Sequence, residues 1–434
     1  MKVMFTCFAT STHYYTLVPM AWALRTAGHE VRVVSQPDLA GTITQSGLTA
    51  VTAGCADWAA RDPWAPELLE LIYQVGTDHV RYFDFTGRDR RQWTWEHLLG
   101  VENVMVAALY ATMNSESMID ESVAFARSWQ PDLVIAETFT FAGAVAARVT
   151  GAAHARMVWG PDIALRARQA FLSQARAQAP EHREDPTAEW LGRTLHRYGC
   201  QFDEEILTGQ WTIDNTPPSG RLDLNLYTVS VRYVPYNGPA LVPDLVRTPP
   251  QRPRVCLTFG ITEREDGRPV ASLTDILEAV AELDAEFIAT LDATQLGQAT
   301  TVPDNVHLVD FVPLNDLLPT CSAIVHQGGV GSRATAEVLG VPQLILTDGW
   351  DTEVKAEHLT RVGAGLSLPM SELTVTAFRD SVGRLLSEPS LRHGAERLQR
   401  EVLAEPSPND IVPLIEKLTA EHRRHPADVN WTRR

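Results

Sequence analysis

Two α/β units in tandem, each built on a doubly wound parallel sheet, are the fold this 434-residue sequence predicts. Three observations carry the prediction. Short apolar, β-rich runs alternate with segments of helical period through both halves. A proline-dense stretch separates the halves, and the polar and glycine-rich motifs fall where strands give way to helices.

In chain order, Val3 to Phe8 is the first strand, followed by a helix from about Leu17 to Ala27 in which Leu17, Met20, Ala21 and Leu24 repeat at helical spacing and Gly28 closes the last turn. Val31 to Val34 and Leu48 to Val51 read as the next strands. A tryptophan-bearing insertion follows, then the buried strand Pro131 to Ala136, a helix over Ala142 to Arg148 and the strand Ala155 to Trp159. Six prolines between Pro235 and Pro253 break the alternation. It restarts with Val255 to Phe259, Phe287 to Leu291, Val306 to Val309, Cys321 to Val325 and Leu344 to Leu346. The division is therefore an N-terminal domain over 1–235, a proline-rich linker over 236–253, a second domain over 254–404, and a C-terminal helix and tail over 405–434 expected to pack back on the first domain.

Composition narrows the function classes. A hydrophobic share of 44% with 21% charged residues describes a globular protein with room for two cores. The net charge of -17 argues against nucleic acid or an anionic membrane as partner, so an anionic ligand must be held locally, by helix ends and a few donors. Five scattered cysteines read as buried thiols of a reducing cytoplasm, and no leader or membrane span is apparent. Three lysines against many arginines suggest a GC-rich, actinobacterial genome.

The segment His326 to Ser332 sets a histidine and three glycines between a strand and the helix through Arg333 to Leu339. Glycine lets backbone approach a ligand, and the unpaired N–H groups of a first helical turn suit phosphate. A turn that needs glycine for steric reasons alone is the alternative at this point.

Further motifs resolve the choice. Phe311-Val312-Pro313-Leu314, the His326 loop, Gly340-Val341-Pro342 and Asp348-Gly349-Trp350-Asp351-Thr352 together resemble the donor domain of the GT-B family of glycosyltransferases. Ser11-Thr12-His13, Leu17-Val18-Pro19, Ala27 to Val31 and Pro131 to Val134 resemble its other, acceptor-binding domain. Thr94 to Gly100, Trp159-Gly160-Pro161-Asp162, Gly209 to Asp214 and Leu403 to Pro408 are similar to the subgroup that attaches deoxysugars to macrolide or aromatic polyketide antibiotics. The resemblance covers essentially the whole chain. It implies two Rossmann-like domains facing across a cleft, a dTDP-deoxysugar and a polyketide aglycone as substrates, no cofactor and no metal, a P450-like activator protein as partner, and a possible homodimer.

Inverting transfer needs three kinds of group. For the leaving diphosphate, His326 with the backbone of Gly328, Gly329, Gly331 and Ser332 is the candidate, and the chain has no Asp-x-Asp triplet to hold a metal. Thr262 is a further phosphate candidate whose alternative is an ordinary turn threonine. For the donor, Asp351 and Thr352 stand where the family has an Asp-Gln pair, beside Trp350; threonine removes a long bidentate group and suits a less hydroxylated sugar. Asp351 could equally cap the helix that follows it. The backbone at Val312 is expected near the base, with Ser11 and Thr12 completing the donor set. For the acceptor, His13 is the expected general base and Glu137 its orienter, with Asp162 as the rival. His29 reads as structural. Phe85, in an insertion from about Trp58 to Met118 rich in aromatics (Trp58, Trp64, Tyr73, Tyr82, Phe83, Trp93, Trp95, Tyr110), is a candidate for the acceptor pocket together with Trp159 and Asp162 of the later Trp-Gly-Pro-Asp loop. A sugar-nucleotide epimerase and a non-catalytic sugar-nucleotide-binding helper are the competing classes.

Overall fold

The computed structural model describes residues 1–57, 78–89, 91, 93–260, 273–291 and 301–424, and these form two compact units. The first comprises Met1–Thr216, Leu222–Val231 and Pro406–Arg434; the second comprises Pro217–Arg221 and Arg232–Glu405.

In the first unit, β1 (Lys2–Thr6), β2 (Glu30–Ser35), β3 (Ala50–Thr52), β4 (Leu133–Glu137), β5 (Ala153–Val158), β6 (Trp211–Asp214) and β7 (Thr228–Ser230) form a sheet ordered β3-β2-β1-β4-β5-β6-β7, every pair parallel. Val3, Met4, Phe5, Leu133, Val134 and Ile135 are all fully buried, as unbroken apolar strands covered on both faces must be. Strand order reverses between β1 and β4, which pair with Thr6 opposite Ala136. Beyond the carboxyl ends of that pair lies the crevice where doubly wound sheets bind ligands. Gly143 shows how tightly this edge is packed: a Cβ there would lie 2.1 Å from Thr6 Oγ1.

The helix after β1, α1, runs from Ser11 to Thr26. The sequence places its start near Leu17 because the apolar periodicity begins there. The chain instead forms the first turn from polar residues, so Ser11, Thr12 and His13 are helical and Pro19 is internal. Helices α2 (Phe141–Thr150) and α3 (Ile163–Ala177) follow β4 and β5.

In the second unit, β8 (Arg254–Thr258), β9 (Glu286–Thr290), β10 (Val306–Val309), β11 (Ala323–His326), β12 (Gln343–Thr347) and β13 (Gly365–Pro369) are ordered β10-β9-β8-β11-β12-β13, again all parallel. The order reverses between β8 and β11, with Thr258 opposite His326. Helices α4 (Val330–Leu339) and α5 (Thr352–Arg361) leave the ends of β11 and β12. The proline-rich stretch packs within this unit through Val246, which joins the buried cluster of Cys256, Ile288 and Val312. Helix α6 (Pro408–His422) belongs to the first unit, where Ile411 and Ile415 are buried and Glu416 meets His29 at 3.0 Å.

All five cysteines are free thiols; Cys7 and Cys256 are buried, whereas Cys55 is exposed, contrary to the expectation that it is buried. No described helix is long and apolar enough to cross a membrane.

Candidate active site

The first unit's reversal point brings His13 and Glu137 together. Glu137 is the last residue of β4 and His13 lies in the first turn of α1, and Nδ1 stands 2.9 Å from Oε1. The Glu137 carboxylate is fully enclosed while the imidazole is 21% exposed, so one partner is fixed and the other is reachable. A carboxylate can only accept, so the proton lies on Nδ1 and the Nε2 lone pair is left for chemistry.

Glu137 has three further donors. Trp159 Nε1 donates to the same Oε1 at 2.9 Å, and the Phe139 N–H and Thr140 hydroxyl donate to Oε2 at 3.0 and 2.8 Å. Burial is the largest influence on this carboxyl and pushes its pKa up, but His13, Trp159 and the Phe139 N–H together outweigh it and hold the group ionised, below its ordinary value. Asn114 fixes the loop beneath, donating to the Phe139 carbonyl at 2.8 Å and accepting from the Ala142 N–H at 3.0 Å. The His13 ring is wedged edge-on between Phe8 and Trp159, each with ring centroids 4.7 Å away.

Asp162 does not reach this dyad. It caps α3 by accepting from the Leu165 N–H at 3.1 Å and pairs with buried Arg156 at 2.5 Å. Trp159, expected in the acceptor pocket, donates its indole N–H to Glu137 and is half-buried. Phe85 is buried edge-on against Phe83, and Tyr110 is buried, whereas Tyr82 is exposed. Ser11 and Thr12 are half-buried beside His13. Trp58, Trp64, Tyr73 and Thr262 lie outside the described residues.

The second unit's loop has a different logic. His326 ends β11 at 1% exposure, with Nε2 2.8 Å from Gln343 Oε1 and Nδ1 accepting from the Gly328 N–H at 2.9 Å. Both ring nitrogens are therefore spent inside the protein, and burial pushes the pKa down to about 4. The ring that sequence reasoning assigned to donate toward phosphate here braces the glycine loop. Gly328, at φ +81°, is buried with Thr352 Cγ2 3.1 Å from where a Cβ would sit; Gly329 and Gly331 are exposed. Helix α4 starts without a side-chain cap, and its first internal bond runs from Arg333 N–H to the Gly329 carbonyl. The N–H groups of Val330, Gly331 and Ser332 thus have no intrahelical acceptor, as an anion site requires.

Arg333, near the start of this helix, points inward: it is 1% exposed and pairs with Glu337 at 2.6 Å. Asp351 does not cap α5; its Oδ2 lies 2.7 Å from the ammonium of Lys355, which also donates to the Gly328 carbonyl at 2.9 Å. Thr352 donates to the Gly349 carbonyl and accepts from the Asp348 N–H, closing its own turn. Trp350 holds φ +51°, a conformation that bulky residues adopt only where the surroundings impose it. Val312 is buried in the core, so only its backbone is available to a ligand.

Trp159 as a Glu137 donor, Asn114, Gln343 and Lys355 escaped sequence reasoning. Only Lys355 carried a signal, as one of three lysines in an arginine-rich chain.

Residues 22–260 match the family described as "Erythromycin biosynthesis protein CIII-like, N-terminal domain", and residues 274–418 match the corresponding C-terminal domain. The chain is 52% identical to the 10-deoxymethynolide desosaminyltransferase of Streptomyces venezuelae, covering 99% of each, and 50% identical to the 3-alpha-mycarosylerythronolide B desosaminyl transferase of Saccharopolyspora erythraea, covering 98% of this chain and 99% of that one. Among solved structures, glycosyltransferase VinC in complex with dTDP superposes with a TM-score of 0.84 at 39% identity, over 97% of this chain and all of that one.

Proposed function

The chain belongs to the erythromycin biosynthesis protein CIII-like family of GT-B glycosyltransferases, and on that premise we propose that it moves a deoxysugar from a dTDP-sugar to a hydroxyl of a polyketide aglycone, with inversion and without a metal. The observation that carries the reading is the enclosed Glu137 carboxylate 2.9 Å from a partly exposed histidine. An epimerase or a passive sugar-nucleotide binder has no acceptor hydroxyl to deprotonate.

In the proposed single displacement, the acceptor oxygen attacks the anomeric carbon as its proton passes to His13 Nε2. The bond from that carbon to the β-phosphate oxygen breaks, and dTDP leaves with its electron pair. Glu137 keeps the proton on Nδ1 and stabilises the imidazolium that forms. The first turn of α4 receives the diphosphate charge with backbone N–H groups, so the stabilisation comes from fixed dipoles. Asp351 accepts from a sugar hydroxyl. The P450-like activator, a homodimeric assembly and a cytoplasmic location belong to this reading through family likeness.

Mass-spectrometric assay of dTDP-deoxysugars against macrolactone and anthracyclinone aglycones, with and without a candidate activator, tests it. The expected result is an aglycone adduct of one deoxysugar with inverted anomeric configuration. Donor epimerised or left intact, with no adduct under any pairing, would contradict it.

A further inference from the structure

Two loops of the second unit carry the groups assigned to the donor, and one buried side chain ties them together. Lys355, on the first turn of α5, is 2% exposed; its ammonium lies 2.7 Å from Asp351 Oδ2 and donates to the Gly328 carbonyl at 2.9 Å. Removing an ammonium from water costs several kcal/mol unless its contacts compensate. The chain's habitual cation is arginine, since 37 basic residues less three lysines leaves 34. At this position a compact point charge with tetrahedral donors bridges a carbonyl and a carboxylate, a geometry that a planar guanidinium fork does not reproduce.

The bond to Gly328 has a directional consequence. In a trans peptide the carbonyl of one residue and the N–H of the next point in opposite directions. With the Gly328 carbonyl drawn inward onto Lys355, the Gly329 N–H is turned outward, at an exposed glycine immediately before the unpaired N–H groups of Val330, Gly331 and Ser332. The same ammonium commits Asp351 Oδ2, leaving hydroxyl recognition to Oδ1.

We propose that Lys355 is a positioning residue that aims the Gly328–Gly329 peptide at the donor diphosphate and couples that loop to Asp351. The inference rests on the donor site proposed above, and calorimetric titration with dTDP and with thymidine, which lacks both phosphates, keeps the two separable. Lys355→Met should weaken dTDP binding about 10- to 100-fold, the range for losing a buried hydrogen bond to a charged group, while thymidine binding is unchanged. Because that variant strands a buried carboxylate, the double variant Asp351→Asn/Lys355→Met is measured beside it, and dTDP should remain equally weak there. Unchanged dTDP affinity in Lys355→Met overturns the proposal, as does equal loss of dTDP and thymidine. Recovery in the double variant overturns it too, by reducing Lys355 to a counter-ion. A wild-type chain without affinity for dTDP overturns the donor site itself, and this inference with it.

Discussion

His13 shows how far one residue's chemistry is legible before its surroundings are. The family-like Ser-Thr-His and the carboxylate at the end of a buried strand were both readable, because a strand end and the loop after its neighbour share a sheet edge whenever the strands pair in parallel. The other donors to Glu137 were not readable, since the direction of an indole N–H depends on where β5 and its following loop place Trp159. His326 failed for the complementary reason: nothing in the sequence shows that Gln343, on the adjacent strand, accepts the hydrogen bond from its Nε2–H. Glu137→Gln should lower kcat by about 10²- to 10⁴-fold, the range for misdirecting a catalytic histidine, with dTDP affinity unchanged in a titration. Trp159→Phe keeps the aromatic wall but removes one donor to a charged acceptor, so kcat should fall about tenfold at unchanged dTDP affinity. A Trp159→Phe enzyme with wild-type kcat would show that the indole merely packs.

At the scale of elements, the long central strands were plain in the sequence because strands buried on both faces are uninterrupted apolar runs. Strand β6 and the edge strands β7 and β13 were not, being short or broken by polar residues and glycine. The early start of α1 was hidden by its polar first turn, yet that turn is what makes His13 helical. The β11–α4 loop depends on Gly328, whose φ of +81° strains any other residue and whose neighbours Thr352 and Ile345 would have to give by a few tenths of an ångström to admit a Cβ. Gly328→Ala should therefore destabilise the protein by about 1–3 kcal/mol, read by denaturant unfolding, and weaken dTDP binding, because the αL conformation is costly outside glycine. A variant with unaltered stability and dTDP affinity would remove the loop's conformation from the account.

At the scale of the whole molecule, two parallel sheets were foreseeable from alternation alone; their strand order and the polar side chains they bury were not. His154, His326 and His358 are buried, and burial pushes their pKa values down to about 3, about 4 and about 3. In the unfolded chain these rings protonate near pH 6.5, so below that pH the unfolded state binds more protons than the folded one and stability falls as the pH drops toward 4. Each ring contributes a slope of up to about 1.4 kcal/mol per pH unit in that window. Glu137 acts in the same sense at lower pH: its contribution is present above the ordinary carboxylate pKa and is lost as pH falls through its depressed folded value. Calorimetric melting between pH 7.5 and 5 should show the melting temperature falling on acidification, and a flat profile would contradict the buried neutral rings. The central claim, that the first unit supplies the base and the second holds the donor, is tested most directly by His13→Ala measured for dTDP affinity and for transfer in parallel. The account predicts a wild-type dissociation constant with transfer abolished; retained turnover would contradict it.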